Sequence, residues 1–150
     1  MSDISFRFRE FHTLTAQELF AIYRLRIAVF VVEQNCPYQE ADELDPISLH
    51  LEGIATNGTL AAYLRIIPPT NEKEPVSIGR VVVDPLFRNR QLGRQLMEEG
   101  MRHAADLWPS RSIRIGAQSY LTDFYTSLGF ELCGPEYLED GIPHVPMIKP

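Results

Sequence analysis

The sequence predicts an α/β domain, with antiparallel hairpins first and a strand–helix–strand–helix–strand unit after them. Three observations predict it. Ile4, Phe6 and Phe8 alternate with Ser5, Arg7 and Arg9, the period of a half-buried strand. Asn57-Gly58 lies between the strand-like runs Leu49–Ala55 and Leu60–Ile67, and this pair is a strong hairpin signal because both residues tolerate positive φ. The β-branched run Val76–Val83 is followed by an arginine-rich loop. Leu92, Leu96, Met97, Gly100, Met101, Ala104 and Trp108 then fall on one face of a helix that Pro109 stops.

The remaining elements follow in order. Thr15-Ala-Gln-Glu18 has the form of a capping box, in which the Thr15 hydroxyl and the Glu18 carboxylate each satisfy an orphan N–H, and Leu14 and Leu19 stand where a hydrophobic staple belongs. Leu19, Ile22, Tyr23, Arg26 and Phe30 continue that helix. From Cys36-Pro37 to Pro46 the chain is acidic and irregular, and it reads as a loop; Pro68-Pro69 through Pro75 is a second. Residues 113–117 form a short strand and 120–128 a helix, with Gly129 at the left-handed position past its end. Residues 130–133 and 145–148 close the sheet. No repeat, low-complexity tract or internal boundary is visible, so residues 1–150 read as one domain.

At 150 residues the chain can bury roughly 70% of its unfolded surface. Its 45% hydrophobic and 23% charged content is that of an ordinary globular protein. A formal net charge of -6 argues against general nucleic-acid binding. The charge is uneven: twelve of the fourteen basic residues are arginine, and Arg80, Arg88, Arg90 and Arg94 cluster. The acids gather in Glu33, Glu40, Asp42, Glu43 and Asp45, and again in Glu136, Glu139 and Asp140. A basic pole on an acidic protein implies an anionic ligand there; the acidic runs are either solvated surface or the place of a cationic ligand. Cys36 and Cys133 form no disulfide framework or Cys-x-x-Cys pair. The opening Met1-Ser-Asp-Ile-Ser-Phe-Arg lacks the apolar segment of a signal peptide, and no apolar run nears the ~20 residues of a membrane span. A cytoplasmic protein is expected.

The order strand, basic loop, helix directs backbone N–H groups and the positive end of a helix dipole at one point, which suits phosphate. The loop is not a P-loop, for it lacks the Gly-Lys-Ser/Thr ending, and it is not a Gly-x-Gly-x-x-Gly dinucleotide fingerprint. Two features narrow the reading. The strand 113–117 ends at Gln118, and Phe124-Tyr125-Thr-Ser-Leu-Gly129-Phe130 follows.

This combination resembles the GCN5-related N-acetyltransferase (GNAT) family. The family's Arg/Gln-x-x-Gly-x-Gly/Ala loop is matched by Arg88, Gln91 and Gly93, and its Phe-Tyr-x-x-Leu-Gly-Phe run by Phe124 to Phe130. Arg24-Leu-Arg26, Val29-Phe-Val-Val-Glu33-Gln34, Cys36-Pro37-Tyr38 and Glu139-Asp-Gly-Ile-Pro-His144-Val-Pro-Met147 are similar to the ElaA-like branch. The resemblance implies a mixed sheet of about six to seven strands flanked by helices. Two parallel strands, Val76–Val83 and 113–117, would splay at the cofactor site. It implies an acetyltransferase moving an acetyl group from acetyl-CoA to a primary amine of a small molecule or protein, with no metal, no nucleic acid and no membrane as partner, and a homodimer by analogy.

Pantetheine would add to the open strand as in β-augmentation. The amides of Val81 and Val83 would hold it, and one near Val82 would polarise the thioester. The amides of Arg88, Asn89, Arg90, Gln91, Leu92, Gly93 and Arg94 would take the pyrophosphate, and their arginines could bind it bidentately. Gln118 would bond pantetheine through its amide. Tyr125 matches the general acid: a phenol near ~10 stays protonated at neutral pH and can donate as a thiolate of ~8.5 leaves. Gln91 departs from the family's glycine, which would let the backbone approach the pyrophosphate without a Cβ in the way.

The base is not identified by a motif. Glu33, His50 and His144 are the candidates, since an ammonium must lose a proton before it attacks; His12 and His103 read as surface residues. Cys36, His50, Cys133 and His144 have no zinc-site spacing, and no Gly-x-Ser-x-Gly elbow exists. The alternatives to an enzyme are a non-catalytic acyl-CoA-binding or sensor module and a protein adaptor using the acidic loop.

Overall fold

The structure, a computed structural model, describes residues 3–150; Met1 and Ser2 of the opening segment lie outside the described residues. Strand β1 (Ile4–Glu10) leads into helix α1 (Ala16–Arg26) through the expected capping box, in which Glu18 N–H donates to Thr15 Oγ1 at 3.1 Å and Thr15 N–H to Glu18 Oε1 at 2.8 Å. The helix does not continue regularly. At Ile27 it widens into a π-helical turn, Ile27–Glu33, rich in β-branched residues that crowd an α-helix. Such turns recur at functional sites.

Strands β2 (Leu49–Ala55) and β3 (Leu60–Ile67) form the predicted hairpin, with Gly58 at φ +91°. Strand β4 (Val76–Val83), helix α2 (Leu92–Leu107) and strand β5 (Ile113–Gln118) follow as expected. The helix expected over 120–128 divides into a 3-10 turn, Ser119–Leu121, and α3 (Thr122–Ser127). Strand β6 is only Glu131–Leu132, while β8 runs over Ile142–Lys149. Between them lies β7 (Tyr137–Glu139), absent from the expected strands. It pairs with β8 through a tight turn in which Asp140 and Gly141 take φ of +52° and +79°. Asp-Gly is a strong hairpin signal, so this strand was readable in the sequence.

The eight strands form one mixed sheet in the order β1-β2-β3-β4-β5-β8-β6, with β7 beside β8. Helix α2 packs on the face of Leu51, Leu64, Ile66 and Ile78. Gly100 permits the approach, because a Cβ there would stand 2.9 Å from Leu64 Cδ2. On the other face Ile22, Leu25 and Val29 pack on Leu60, Tyr63 and Val82.

The acidic loop departs most from expectation. Glu40 and Asp45 are buried, together with Arg26 and Arg65. Arg26 Nε lies 2.8 Å from Glu40 Oε2 and its Nη1 2.7 Å from Asp45 Oδ1. Arg65 Nη1 reaches Asp42 Oδ1 at 2.6 Å and Asp45 Oδ1 at 2.9 Å, and Arg80 Nη2 donates to the Glu40 carbonyl at 2.8 Å. These acids are neither solvated surface nor a place for a cationic ligand; they neutralise the buried Arg26 and Arg65 and the partly buried Arg80. A buried charge persists only when it is paired and hydrogen-bonded. Arg80 therefore leaves the basic pole.

Two histidines also move from their expected places. His50 is buried with both ring nitrogens engaged, Nδ1 with Tyr63 Oη at 2.6 Å and Nε2 with the Asp45 carbonyl at 3.0 Å. It is a structural residue with no free nitrogen for base chemistry. His103, expected at the surface, is half-buried and stacks on Phe8 with ring centres 4.0 Å apart. His12 remains exposed beside Glu10.

Candidate active site

The site begins where two strands part. β4 and β5 run parallel and pair only at Val76–Ile113 and Ser77–Arg114. Beyond Ser77, β5 stays paired to β8 as far as Gln118, while β4 bends away. The cause of the bend is visible in the register of β3 with β4. Tyr63 opposes Val82, yet Arg65 opposes Gly79, so β4 carries one extra residue across a bulge. Arg80 within it takes φ +52°. A cleft of about 1360 Å³ opens between the strands.

The direction of the amides on the open edge follows from alternation. Asp84 N–H donates to the Ala61 carbonyl of β3 at 2.8 Å. By the two-residue period of a strand, Val82 N–H also faces β3, and those of Val81 and Val83 face the cleft. An N–H at Val82 itself is thus turned away from any thioester in the cleft.

The end of β4 leads to the basic loop. Asp84 caps a 3-10 turn, Pro85–Phe87, by accepting Leu86 N–H at 2.9 Å. Asn89 and Gln91 then take φ of +65° and +62°. Gln91 is the N-cap of α2 and makes no side-chain cap, so the helix begins with N–H groups open to an external acceptor. A Cβ on Gly93 would meet nothing closer than 3.9 Å; the space beside it is cleft. The left-handed backbone gives a second reason for the family's glycine at position 91, since a residue with a Cβ pays about 1–2 kcal/mol in that conformation.

The loop arginines are already engaged. Arg88 forms a bidentate pair with Glu33, both contacts at 2.7 Å, across the mouth of the cleft. The guanidinium holds the Glu33 carboxyl below its usual range. Arg90 lies over the Phe87 ring, and Arg94 donates to Ser127 Oγ at 2.5 Å while lying over Phe124.

Tyr125 lines the cleft from α3 and is only 6% exposed. Phe124 and Phe130 meet its ring edge to face, and burial pushes its hydroxyl up to about 12. Gln118, at the end of β5, donates to Gln34 Oε1 at 3.3 Å. Across the β5–β8 ladder from Gln118 stands His144, also buried in the cleft wall. Its Nδ1 is 2.7 Å from the Ile142 carbonyl. A carbonyl only accepts, so Nδ1 carries a proton, and the lone pair of the neutral ring is the one on Nε2. That Nε2 lies 3.6 Å from Glu139 Oε2, and the ring stacks on Tyr137.

Tyr125, His144, Gln118, Glu33 and the 81–83 and 88–94 segments all border one cleft, apart from Arg90 among them. Sequence reasoning missed Phe30, Tyr38, Tyr137 and Glu139 as further walls. Asp140-Gly141 could have placed Tyr137 and Glu139; the other two depend on the π-helical turn and the folded acidic loop. Among the described residues, no three His, Cys, Asp or Glu gather to hold a metal ion, and no helix is long and apolar enough to cross a membrane.

A sequence profile described as an acetyltransferase (GNAT) domain matches residues 24–150. The chain belongs to the GNAT acetyltransferase family. This GNAT domain is 43% identical over 138 residues to the protein ElaA of Escherichia coli, covering 91% of this chain and 90% of that one. It is 44% identical over 148 residues to a UPF0039 protein of Schizosaccharomyces pombe, covering 98% and 97%. A solved acyl-CoA N-acyltransferase of Pseudomonas aeruginosa superposes with a TM-score of 0.92 at 40% identity, covering 98% of this chain and 99% of that one. The fold is that of GNAT acyl-CoA N-acyltransferases, and the family's chemistry is acyl transfer from coenzyme A thioesters. The cleft has a free strand edge at one end and an uncapped helix start at the other.

Proposed function

We propose that the protein transfers an acetyl group from acetyl-CoA to a primary amine by direct attack, within a single domain spanning the chain. One observation carries the reading: the unpaired edge of β4 runs from an uncapped helix start to a cleft wall holding a buried phenol and a histidine of fixed tautomer. Val81 and Val83 present N–H groups to the pantetheine arm. The loop from Arg88 to Arg94 receives the phosphates, with Arg88 exchanging its Glu33 partner for one of them.

His144 Nε2 takes the proton that the attacking amine loses. The Ile142 carbonyl holds Nδ1–H, which leaves Nε2 of the neutral ring to accept that proton. Glu33 is the weaker candidate for base, because Arg88 occupies its carboxylate and lowers its basicity. Tyr125 donates to the departing sulfur. A phenol at about 12 is a weaker acid than a thiol of ~8.5 in water, but the burial that disfavours phenolate disfavours thiolate in the same pocket. The two basicities therefore approach each other inside the cleft, and the hydroxyl stays protonated at neutral pH. Gln118 orients the arm by exchanging its bond to Gln34.

Free-thiol release from acetyl-CoA over a panel of amines, beside calorimetric titration with coenzyme A, tests the assignment. Thiol release that rises with one class of amine is expected. Coenzyme A binding without turnover on any amine would convert the reading to an acyl-CoA-binding module, and absence of coenzyme A binding would overturn it.

A further inference from the structure

The ion network on the α1 face does more than fill the space under the acidic loop. One of its arms ends on the cleft. Arg80 is the extra residue of β4, with φ +52°, a conformation that residues with a Cβ adopt rarely and hold only where surroundings enforce it. Its side chain shows what enforces it. Nη2 donates to the Glu40 carbonyl at 2.8 Å and lies 3.3 Å from Asp42 Oδ2, and Nε lies 2.8 Å from Glu40 Oε2. Glu40 and Asp42 are in turn held by Arg26 and Arg65, so the anchor is fixed to both α1 and β3. The Tyr38 ring covers the guanidinium.

The bulge decides two things. It ends the β4–β5 pairing after Ser77, which opens the cleft, and it sets which amides of the next residues face that cleft. Val81 follows Arg80 directly, so an error in Arg80 φ rotates the Val81 N–H first and Val83 after it.

We infer that Arg80, clamped by Glu40 and Asp42, is a positioning residue that fixes the bulge of β4 and thereby aims the Val81 and Val83 amides at the pantetheine arm of the acyl donor. The inference rests on the proposed coenzyme A site. The clamp touches neither the phosphate loop nor Tyr125, so its effect falls on the arm alone. Binding of the nucleotide end is left intact.

Titration with coenzyme A and with 3′-phospho-ADP, which lacks the arm, separates these effects. Arg80→Ala removes the clamp but keeps a Cβ in a left-handed position. It is expected to weaken coenzyme A by about tenfold, the size of two misaligned hydrogen bonds, and to leave 3′-phospho-ADP unchanged. Arg80→Gly, free to take positive φ, recovers part of that loss. Asp42→Asn alters a carboxylate that is 33% exposed, so the fold is retained, and it moves affinity in the direction of Arg80→Ala by a smaller factor. Equal affinity of folded Arg80→Gly and Asp42→Asn proteins for coenzyme A, relative to wild type, would overturn the clamp. So would parallel losses for both ligands, which mark a general structural role. Failure of the wild-type protein to bind coenzyme A would instead overturn the site on which the inference depends.

Discussion

The network of Arg26, Arg65 and Arg80 and the pair Arg88–Glu33 use the same chemical groups at similar distances, yet they serve opposite ends. In the first, Arg26 and Asp45 are 0% and 1% exposed in their side chains, and each carboxylate is shared between cations. In the second, Arg88 and Glu33 are 38% and 43% exposed, with one partner each. Burial makes the first permanent, since no water can replace a lost partner. Exposure leaves the second exchangeable, since water or a phosphate can replace it at little cost. Solvent access thus makes one assembly architecture and fits the other to the ligand exchange proposed for it.

The largest effect is expected when one charge is removed from the buried side. Asp45→Asn leaves Arg26 and Arg65 short of a carboxylate, and a broken buried pair costs about 3–5 kcal/mol. A melting temperature lower by roughly 10 °C is expected for a domain of this size. A change within a degree or two would mean the network contributes no more than the surface pair. Asp45 is also held down to about 2 by hydrogen bonds and charge from Arg26, against the opposing cost of its burial. Its stabilisation is complete at neutral pH and fades only as strong acid protonates it.

Next in size is Tyr125→Phe, which removes one proton donor and leaves the packing with Phe124 and Phe130. Loss of a positioned acid lowers turnover by about a hundredfold or more, with coenzyme A affinity unchanged. An unaltered rate on an established amine would remove Tyr125 from the mechanism.

His50 tests the buried side through pH. Burial lowers its pKa from the ordinary 6.5, and the Asp45 contacts only partly oppose this. The unfolded chain thus binds the proton more readily than the folded one. Stability is full above that value and is lost as pH falls through it. Denaturant midpoints measured between pH 8 and pH 5 should fall toward the acid side in the wild type, and His50→Gln should flatten that slope. An unchanged slope would assign it elsewhere.

Much of this fold was legible because its signals are local. The alternation of β1, Asn57-Gly58, the capping box and the stripe of α2 all fell where periodicity put them. So did the order of β4, the basic loop and α2, a matter of one strand, one turn and one helix. What escaped was made by contacts distant in sequence. Glu40, Asp42 and Asp45 read as surface charge because their partners Arg65 and Arg80 lie far along the chain. His144 was a bare candidate until the Ile142 carbonyl fixed its tautomer. Gln91 was suspect for its bulk, whereas φ +62° adds a conformational cost. Gln91→Gly should accordingly relieve up to about 1 kcal/mol, partly offset by the entropy of the glycine when unfolded. A melting temperature raised by a few degrees is the readout, and a fall would mean the Gln91 side chain makes a compensating contact.

The smallest effect tests the exchangeable side. If Arg88 must leave Glu33 to meet a phosphate, neutralising Glu33 removes the competitor without removing the cation. Glu33→Gln should then tighten coenzyme A modestly. An exposed pair is worth about 0.2–1 kcal/mol, so the gain is at most roughly fivefold, and it should shrink at high salt as screening weakens the wild-type pair. Arg88→Gln should weaken binding in the same titration, because the phosphate contact is lost while the Glu33 carboxylate stays at the mouth of the cleft. Weaker binding in Glu33→Gln would mean that the pair orients Arg88 toward the ligand. The exposed contact would then be architecture like the buried one, and solvent access would no longer divide the two.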